Sequence, residues 1–91
     1  MKTTIRAWFE AASKQYGEVV ASTITDPAVL DKLFYSGFGS AGCDPFYAWT
    51  PTHVLFVHEY DGSTSLQAIP RNPSSDLIPE FCGDYVEDGR D

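Results

Sequence analysis

The chain has 91 residues, of which 43% are hydrophobic and 14% are aromatic, and this indicates one globular domain over residues 1–91 rather than disorder. No apolar run approaches the ~20 residues of a membrane-spanning helix. Thirteen acidic residues against six basic ones give a net charge of −7, which disfavours direct binding to nucleic acid. Lys2 and Arg6 are not followed by the apolar stretch of a secretory signal, so we expect a cytoplasmic protein.

The first predicted element is a helix that begins near residue 5. Its apolar residues have the spacing of one buried helical face, namely Ile5, Trp8, Phe9, Ala12 and Tyr16. Thr3 or Thr4 is the expected N-cap, and Gly17 is the first residue that favours a helix end. Two interpretations remain for residues 18–25. We slightly prefer a continued helix, but their β-branched content suits a strand equally.

A second helix is predicted over residues 27–35. Asp26 is a suitable N-cap and Pro27 is pre-shaped for the first helical turn. The expected buried stripe is Val29, Leu30, Leu33 and Phe34. Gly37 should end this helix, and a loop should follow as far as residue 51.

The strongest strand signal is a pair of runs at residues 53–60 and 63–69. Asp61 and Gly62 separate them, a dipeptide that favours a two-residue type I′ turn because both positions need positive φ. Such a turn fixes the register and pairs Tyr60 with Ser63. The residues that then share one face and should pack on the helices are Leu55, Val57, Leu66 and Ala68.

Beyond the hairpin the sequence becomes polar and acidic. Pro70 should end the second strand, Asp76 should cap a short helical turn over residues 77–82, and an acidic tail should begin at about residue 84. The expected fold is α+β, with two or three helices packed on a small antiparallel sheet centred on the hairpin at residues 53–69.

Three glycines, Gly37, Gly39 and Gly42, match the G-x-G-x-x-G spacing of dinucleotide-binding loops. That motif follows a strand and opens a helix, whereas this one follows a predicted helix and runs into Asp44 and Pro45. We interpret it as a connecting loop, and we expect no cofactor.

The two histidines, His53 and His58, lie five residues apart on a predicted strand. They should therefore point to opposite faces, where they cannot bind the same metal ion. Cys43 and Cys82 are expected to be reduced thiols, although a single bridge between them stays open. The chain also lacks a G-x-S-x-G elbow, so we expect neither an enzyme nor a metal site.

Three aromatic residues, Phe46, Tyr47 and Trp49, lie in a predicted loop between two prolines. Aromatic side chains in such a loop either pack onto the core, which is the expected arrangement, or stay exposed as anchors for a partner. Exposed anchors would indicate a small regulatory or structural adaptor.

The acidic residues are concentrated near the C-terminus. Residues 76–91 contain six acidic residues and one basic residue, a net −5 of the total −7. Such a surface either keeps the protein soluble or copies the phosphate spacing of a DNA duplex and occupies the DNA-binding channel of another protein.

Small size, the acid surplus and the lack of a catalytic pattern together resemble phage-encoded anti-CRISPR proteins, in particular the acidic ones that occlude the DNA-binding surface of a type I interference complex. The hairpin at residues 57–64 is also similar to that of uracil-DNA glycosylase inhibitors, another group of DNA mimics. The resemblance implies an inhibitor in a bacterial cytoplasm, with a DNA-binding subunit as its partner and no contact with nucleic acid or membrane. The candidate partner-binding residues are Glu59, Asp61, Asp76, Glu80, Asp84, Glu87 and Asp88, together with Phe46, Tyr47 and Trp49.

Overall fold

The structure is a computed structural model that describes residues 2–35, 37, 38, 43–60, 63–72, 77, 79 and 81–86. Within these ranges the chain forms one α-helix, one 3₁₀ helix and eight strands, so the predicted α+β class is confirmed. The elements are β1 (Lys2–Thr3), α1 (Ile5–Tyr16), β2 (Ala21–Ser22), the 3₁₀ helix (Pro27–Asp31), β3 (Phe34–Tyr35), β4 (Gly37–Phe38), β5 (Tyr47–Trp49), β6 (His53–Tyr60), β7 (Ser63–Pro70) and β8 (Asp84–Tyr85). The expected two or three α-helices are wrong for this part of the chain, which has one.

Helix α1 begins and ends where its sequence signals predict. The Thr4 hydroxyl accepts a hydrogen bond from the Ala7 N–H at 3.1 Å, which satisfies one of the unpaired donors of the first turn. Ile5, Trp8 and Ala12 are buried, as expected for positions on one helical face. Gly17 has a φ of 98° and donates its N–H to the Ser13 carbonyl at 3.1 Å, so it turns the chain out of the helix.

The segment after Gly17 is extended. The Val20 N–H donates to the Trp49 carbonyl at 2.8 Å, and strand β2 pairs with β5. The preferred helical continuation is therefore wrong, and the strand interpretation is confirmed at Ala21 and Ser22.

The predicted second helix starts correctly but ends early. The Asp26 carboxylate accepts from the Ala28 N–H at 3.0 Å, and the 3₁₀ helix that follows stops at Asp31. The chain then pairs as β3 with β1, and Phe34 packs edge-on against Trp8 with ring centroids 4.9 Å apart. Pairing of β3 with the N-terminal strand takes up the backbone groups that a longer helix would have used, and it leaves Leu33 63% exposed.

The main sheet is antiparallel and has the order β2-β5-β6-β7-β4, with β8 also paired to β7, while β1 and β3 form a separate pair. The predicted hairpin register is confirmed over all eight pairs, from His53 with Pro70 to Tyr60 with Ser63. Its turn residues, Asp61 and Gly62, lie outside the described residues. The expected loop over residues 36–51 is wrong at β4 and β5, which both join the sheet.

The C-terminal segment contributes a strand to the sheet. The described residues between positions 77 and 82 are not helical, so the predicted helical turn is not found there. Asp84 and Tyr85 pair with Ala68 and Gln67, and Val86 is buried and donates its N–H to the Leu66 carbonyl at 2.9 Å. Residues 84–86 therefore belong to the fold rather than to a tail, and residues 87–91 lie outside the described part.

The core lies between α1 and one face of the sheet. Leu55 and Leu66 are fully buried there, and Val57 packs against the same cluster. Full burial of a leucine side chain stabilises the fold by about 1.5–3 kcal/mol, so this face contributes much of the stability. None of the helices in the described ranges has the length and apolar character needed to cross a membrane.

Candidate protein-interaction surface

The face of the sheet opposite α1 collects side chains from four neighbouring strands. Because successive residues of a strand alternate between faces, the pairing register places these side chains in adjacent rows. We call this surface the outer face and define it by Tyr47, Trp49, Val54, Phe56, His58, Ser65, Gln67, Ile69 and Tyr85. It extends over β5, β6, β7 and β8, roughly 14 Å across at the usual strand spacing.

Large apolar side chains are accessible on the outer face. Tyr47 is 56% exposed, Ile69 44% and Tyr85 62%, while Trp49 and Phe56 are half-buried. At the strand positions that the structure describes, this face carries no Asp, Glu, Lys or Arg. Aromatic enrichment with few charges is typical of the centre of a protein–protein interface, and large apolar side chains exposed together on one face usually mark an interaction site.

The middle of the outer face is fixed by a buried amide. Gln67 is fully buried, donates from Nε2 to the Ser65 hydroxyl at 3.3 Å and accepts at Oε1 from the Gly83 N–H at 2.9 Å. The second bond ties β8 to β7 and so holds Tyr85 at the edge of the face. Gln67 is therefore a positioning residue rather than a group open to a ligand.

Tyr47 is held equally firmly at the other edge. Its N–H donates to the Thr23 hydroxyl at 3.0 Å, and its carbonyl accepts from the Thr23 N–H at 2.8 Å. A side chain on such a rigid backbone loses little conformational entropy when it binds a partner.

The three predicted loop aromatics are divided between the two faces. Phe46 is 6% exposed and packs edge-on against Phe9 with ring centroids 5.7 Å apart, so the expected packed arrangement is confirmed for this residue. Tyr47 and Trp49 lie on the outer face instead. Strand alternation in β5 causes this division.

Sequence reasoning missed four members of the outer face: Val54, Phe56, Ile69 and Tyr85. The signal for the first three was present, because the predicted hairpin register already placed them on the face of the sheet that does not carry Leu55 and Leu66. Tyr85 carried no such signal, since its segment lacks the alternation of a long strand.

The structure does not bring the two described candidate carboxylates together. Glu59 and Asp84 are both exposed, on the α1 side of the sheet, and they pair with Thr64 and Ala68 respectively. Four residues along β7 separate these positions, or about 13 Å. The other acidic candidates, Asp61, Asp76, Glu80, Glu87 and Asp88, lie outside the described residues.

The histidines and cysteines are dispersed. The His53 ring stacks on Tyr16 at 4.3 Å and its Nδ1 lies 2.7 Å from the Thr52 hydroxyl, while His58 belongs to the outer face. Cys43 and Cys82 are free thiols, and burial, with Asp44 nearby, raises the pKa of Cys43 to about 11. Burial also raises the pKa of Tyr16, with a smaller contribution from the charge of Asp84.

The structure also bears on the metal-ligating residue types and on the glycine pattern. Among the residues described, no group of three or more His, Cys, Asp or Glu could hold a metal ion. Gly37 of the glycine pattern lies in β4 rather than in a loop, and Gly39 and Gly42 are not described.

Comparison with known proteins finds no matching family model, no similar curated protein and no similar solved structure. Family membership therefore supplies no function, and the resemblance to anti-CRISPR proteins stays a prediction.

Proposed function

We propose that this chain is a non-catalytic inhibitor of the anti-CRISPR type, which binds a protein and blocks the DNA-binding surface of a type I interference complex. The observation that carries the protein-binding part is the outer face, an uncharged aromatic surface on a chain with a net charge of −7. The outer face forms the centre of the contact, and the net negative charge of the chain acts at longer range.

The centre supplies most of the affinity. Trp and Tyr are the residues that most often dominate binding energy, because each buries a large area with few rotatable bonds. Tyr47 and Tyr85 are more than half exposed in the free protein, so a partner that covers them removes considerable apolar surface from water.

The carboxylates steer the protein towards its partner and so increase the association rate. A DNA-binding surface is cationic, and a partner of net charge −7 is steered towards it before contact. Glu59 and Asp84 lie off the outer face, where charges change the association rate more than the final affinity.

The second candidate is an adaptor that docks through the same face without competing with DNA. The 56% exposure of Tyr47, with the half-buried Trp49 beside it on the outer face, favours it, since these are two of the three aromatic anchors predicted from sequence. The two candidates differ in whether the bound partner can still bind DNA, and one experiment separates them.

The test is a competition between this protein and labelled duplex DNA for a purified type I interference complex, at ~50 and ~200 mM salt. We expect mutually exclusive binding that weakens as salt rises. Binding that leaves DNA in place and ignores salt would favour the adaptor. Absence of binding to the complex would contradict the inhibitor proposal.

A matched pair of variants tests the contact surface. Tyr47→Ala should weaken binding by roughly 30-fold, the effect of losing about 2 kcal/mol at an interface centre. Leu33→Ala is the control, because Leu33 is 63% exposed but belongs to no part of the outer face. Equal effects of the two variants would exclude the outer face as the contact.

A further inference from the structure

A second surface lies between α1 and the chain segment that contains β2. It is a groove of about 390 Å³, within the usual size range of ligand sites. Its lining residues are Arg6, Phe9, Glu10 and Ser13 of α1, residues 18–22, and Leu30 of the 3₁₀ helix. The four α1 residues have helical i, i+3, i+4, i+7 spacing, so they form one stripe beside the buried face of that helix.

The floor of the groove is apolar. Phe9, Val19 and Leu30 are partly buried and pack against the core, while Val20 is 58% exposed at the rim. Ser13 donates its hydroxyl hydrogen to the Phe9 carbonyl at 2.8 Å, so its donor is already used. A ligand must therefore bring apolar groups to the floor.

The groove has more negative than positive charges. Arg6 forms a two-point ion pair with Asp31, with Nε 2.7 Å from Oδ1 and Nη2 3.2 Å from Oδ2, which holds its guanidinium in place. Glu10 and Glu18 are both exposed, and with the Arg6–Asp31 pair they leave the groove a net charge of −2. The complementary ligand is cationic.

The position of the groove also defines the shape of its ligand. Strand β2 is the last strand in the order of the main sheet and has β5 as its paired neighbour. A terminal strand is where an extended peptide can align with a sheet.

We propose that this groove binds an extended segment of a partner protein in which Lys or Arg residues alternate with apolar residues. The apolar side chains contact Phe9, Val19 and Leu30, and the cationic groups contact Glu10 and Glu18. The site shares no residue with the outer face and does not depend on the function proposed for it.

The test uses two peptides and the full-length ¹⁵N-labelled protein. The probe is acetyl-Val-Lys-Val-Lys-Val-amide, and its acidic counterpart has Glu in place of both lysines. We expect saturable shifts of the amide signals of residues 6–22 with the lysine peptide, which weaken as salt is raised, and much weaker shifts with the glutamate peptide. The absence of saturation up to about 5 mM peptide, or equal binding of both peptides, would overturn the proposal.

Three variants make the test specific. Glu10→Gln and Glu18→Gln should each lower the affinity for the lysine peptide by about two- to fivefold, as expected for one exposed ion pair. Asp44→Asn removes an exposed carboxylate that does not line the groove, and it should leave the affinity unchanged. An equal loss in all three variants would show attraction by net charge alone and would contradict a defined site. Melting curves of the variants check that each is folded.

Discussion

Gly83 is the residue whose substitution tests most directly how β8 is attached. A β-carbon at this position would lie 2.5 Å from the Ala68 carbonyl oxygen and 3.0 Å from the Ile69 side chain. The nearest of these atoms belongs to the backbone of β7, so it cannot move without disturbing the centre of the sheet. Gly83→Ala should therefore push β8 away and break the 2.9 Å bond from the Gly83 N–H to Gln67.

The expected loss of stability combines two effects. Overpacking costs about 1–3 kcal/mol, and an unpaired buried amide costs about 1–3 kcal/mol, so that a total of about 2–6 kcal/mol is expected. In a domain of this size the melting temperature should fall by at least about 8 °C. Urea unfolding followed by tryptophan fluorescence measures the free energy of unfolding, because Trp8 is fully buried.

Cys82→Ala is the control for Gly83→Ala. Cys82 is the exposed neighbour in the chain, and its substitution should change the free energy of unfolding by no more than about 0.5 kcal/mol. Gln67→Met removes the acceptor and keeps the size, so the Gly83→Ala, Gln67→Met double variant should be less destabilised than the sum of the single effects. If Gly83→Ala proves as stable as Cys82→Ala, the close contact of Gly83 with β7 is wrong.

Three other substitutions or conditions follow from the same structure. Leu66→Asp should unfold the chain, because it buries a charge against Leu55 and costs at least about 3 kcal/mol, whereas Leu33→Asp should leave the circular dichroism spectrum unchanged. Gly17→Ala should lower stability by about 1–3 kcal/mol in urea unfolding, since φ is 98° there, and an unchanged midpoint would contradict this backbone geometry. The Cys43 pKa is raised from 9.0 to about 11 in the folded state. The stability that the protonated Cys43 thiol contributes is therefore complete below about pH 9 and is lost as the pH rises towards 11. A Cys43→Ala variant should lack this pH dependence in melting experiments.

The hairpin could be predicted because its information is local. Asp61 and Gly62 fix a two-residue loop, and the alternation on either side fixes which residues are buried. Helix α1 is similar, since one threonine, one glycine and a regular apolar stripe define its two ends and its buried face.

The short strands could not be predicted in this way. Two residues carry no periodicity, so β3 and β8 form only because a distant partner strand accepts their backbone groups, and at β2 the same lack of periodicity left helix and strand both open. Phe34 shows the effect clearly, because its spacing fits a helix while its pairing with Thr3 places it in a strand.

The outer face was only partly predictable for the same reason. Residues 46–49 are apolar at every position, which conceals the alternation that sends Phe46 to the core and Tyr47 to the outer face. Strand β5 pairs with β6, and this pairing places Tyr47 and Trp49 beside Phe56 on one face. The pairing depends on tertiary contacts, which the local sequence does not specify.

An exposed aromatic face on a small protein would ordinarily promote self-association, and the net charge of −7 opposes it here. Repulsion between two copies is long-ranged at low salt, but at 1 M salt the screening length falls to about 3 Å. We therefore expect a monomer at about 50 mM salt and reversible self-association at about 1 M salt in sedimentation experiments. The Tyr47→Ser, Ile69→Ser double variant should stay monomeric at both, because it removes two exposed apolar side chains from the outer face. Leu33→Ser is the control and should behave as the wild type. If the double variant also associates at high salt, another surface is responsible, and the outer face is not the main exposed apolar contact of the chain.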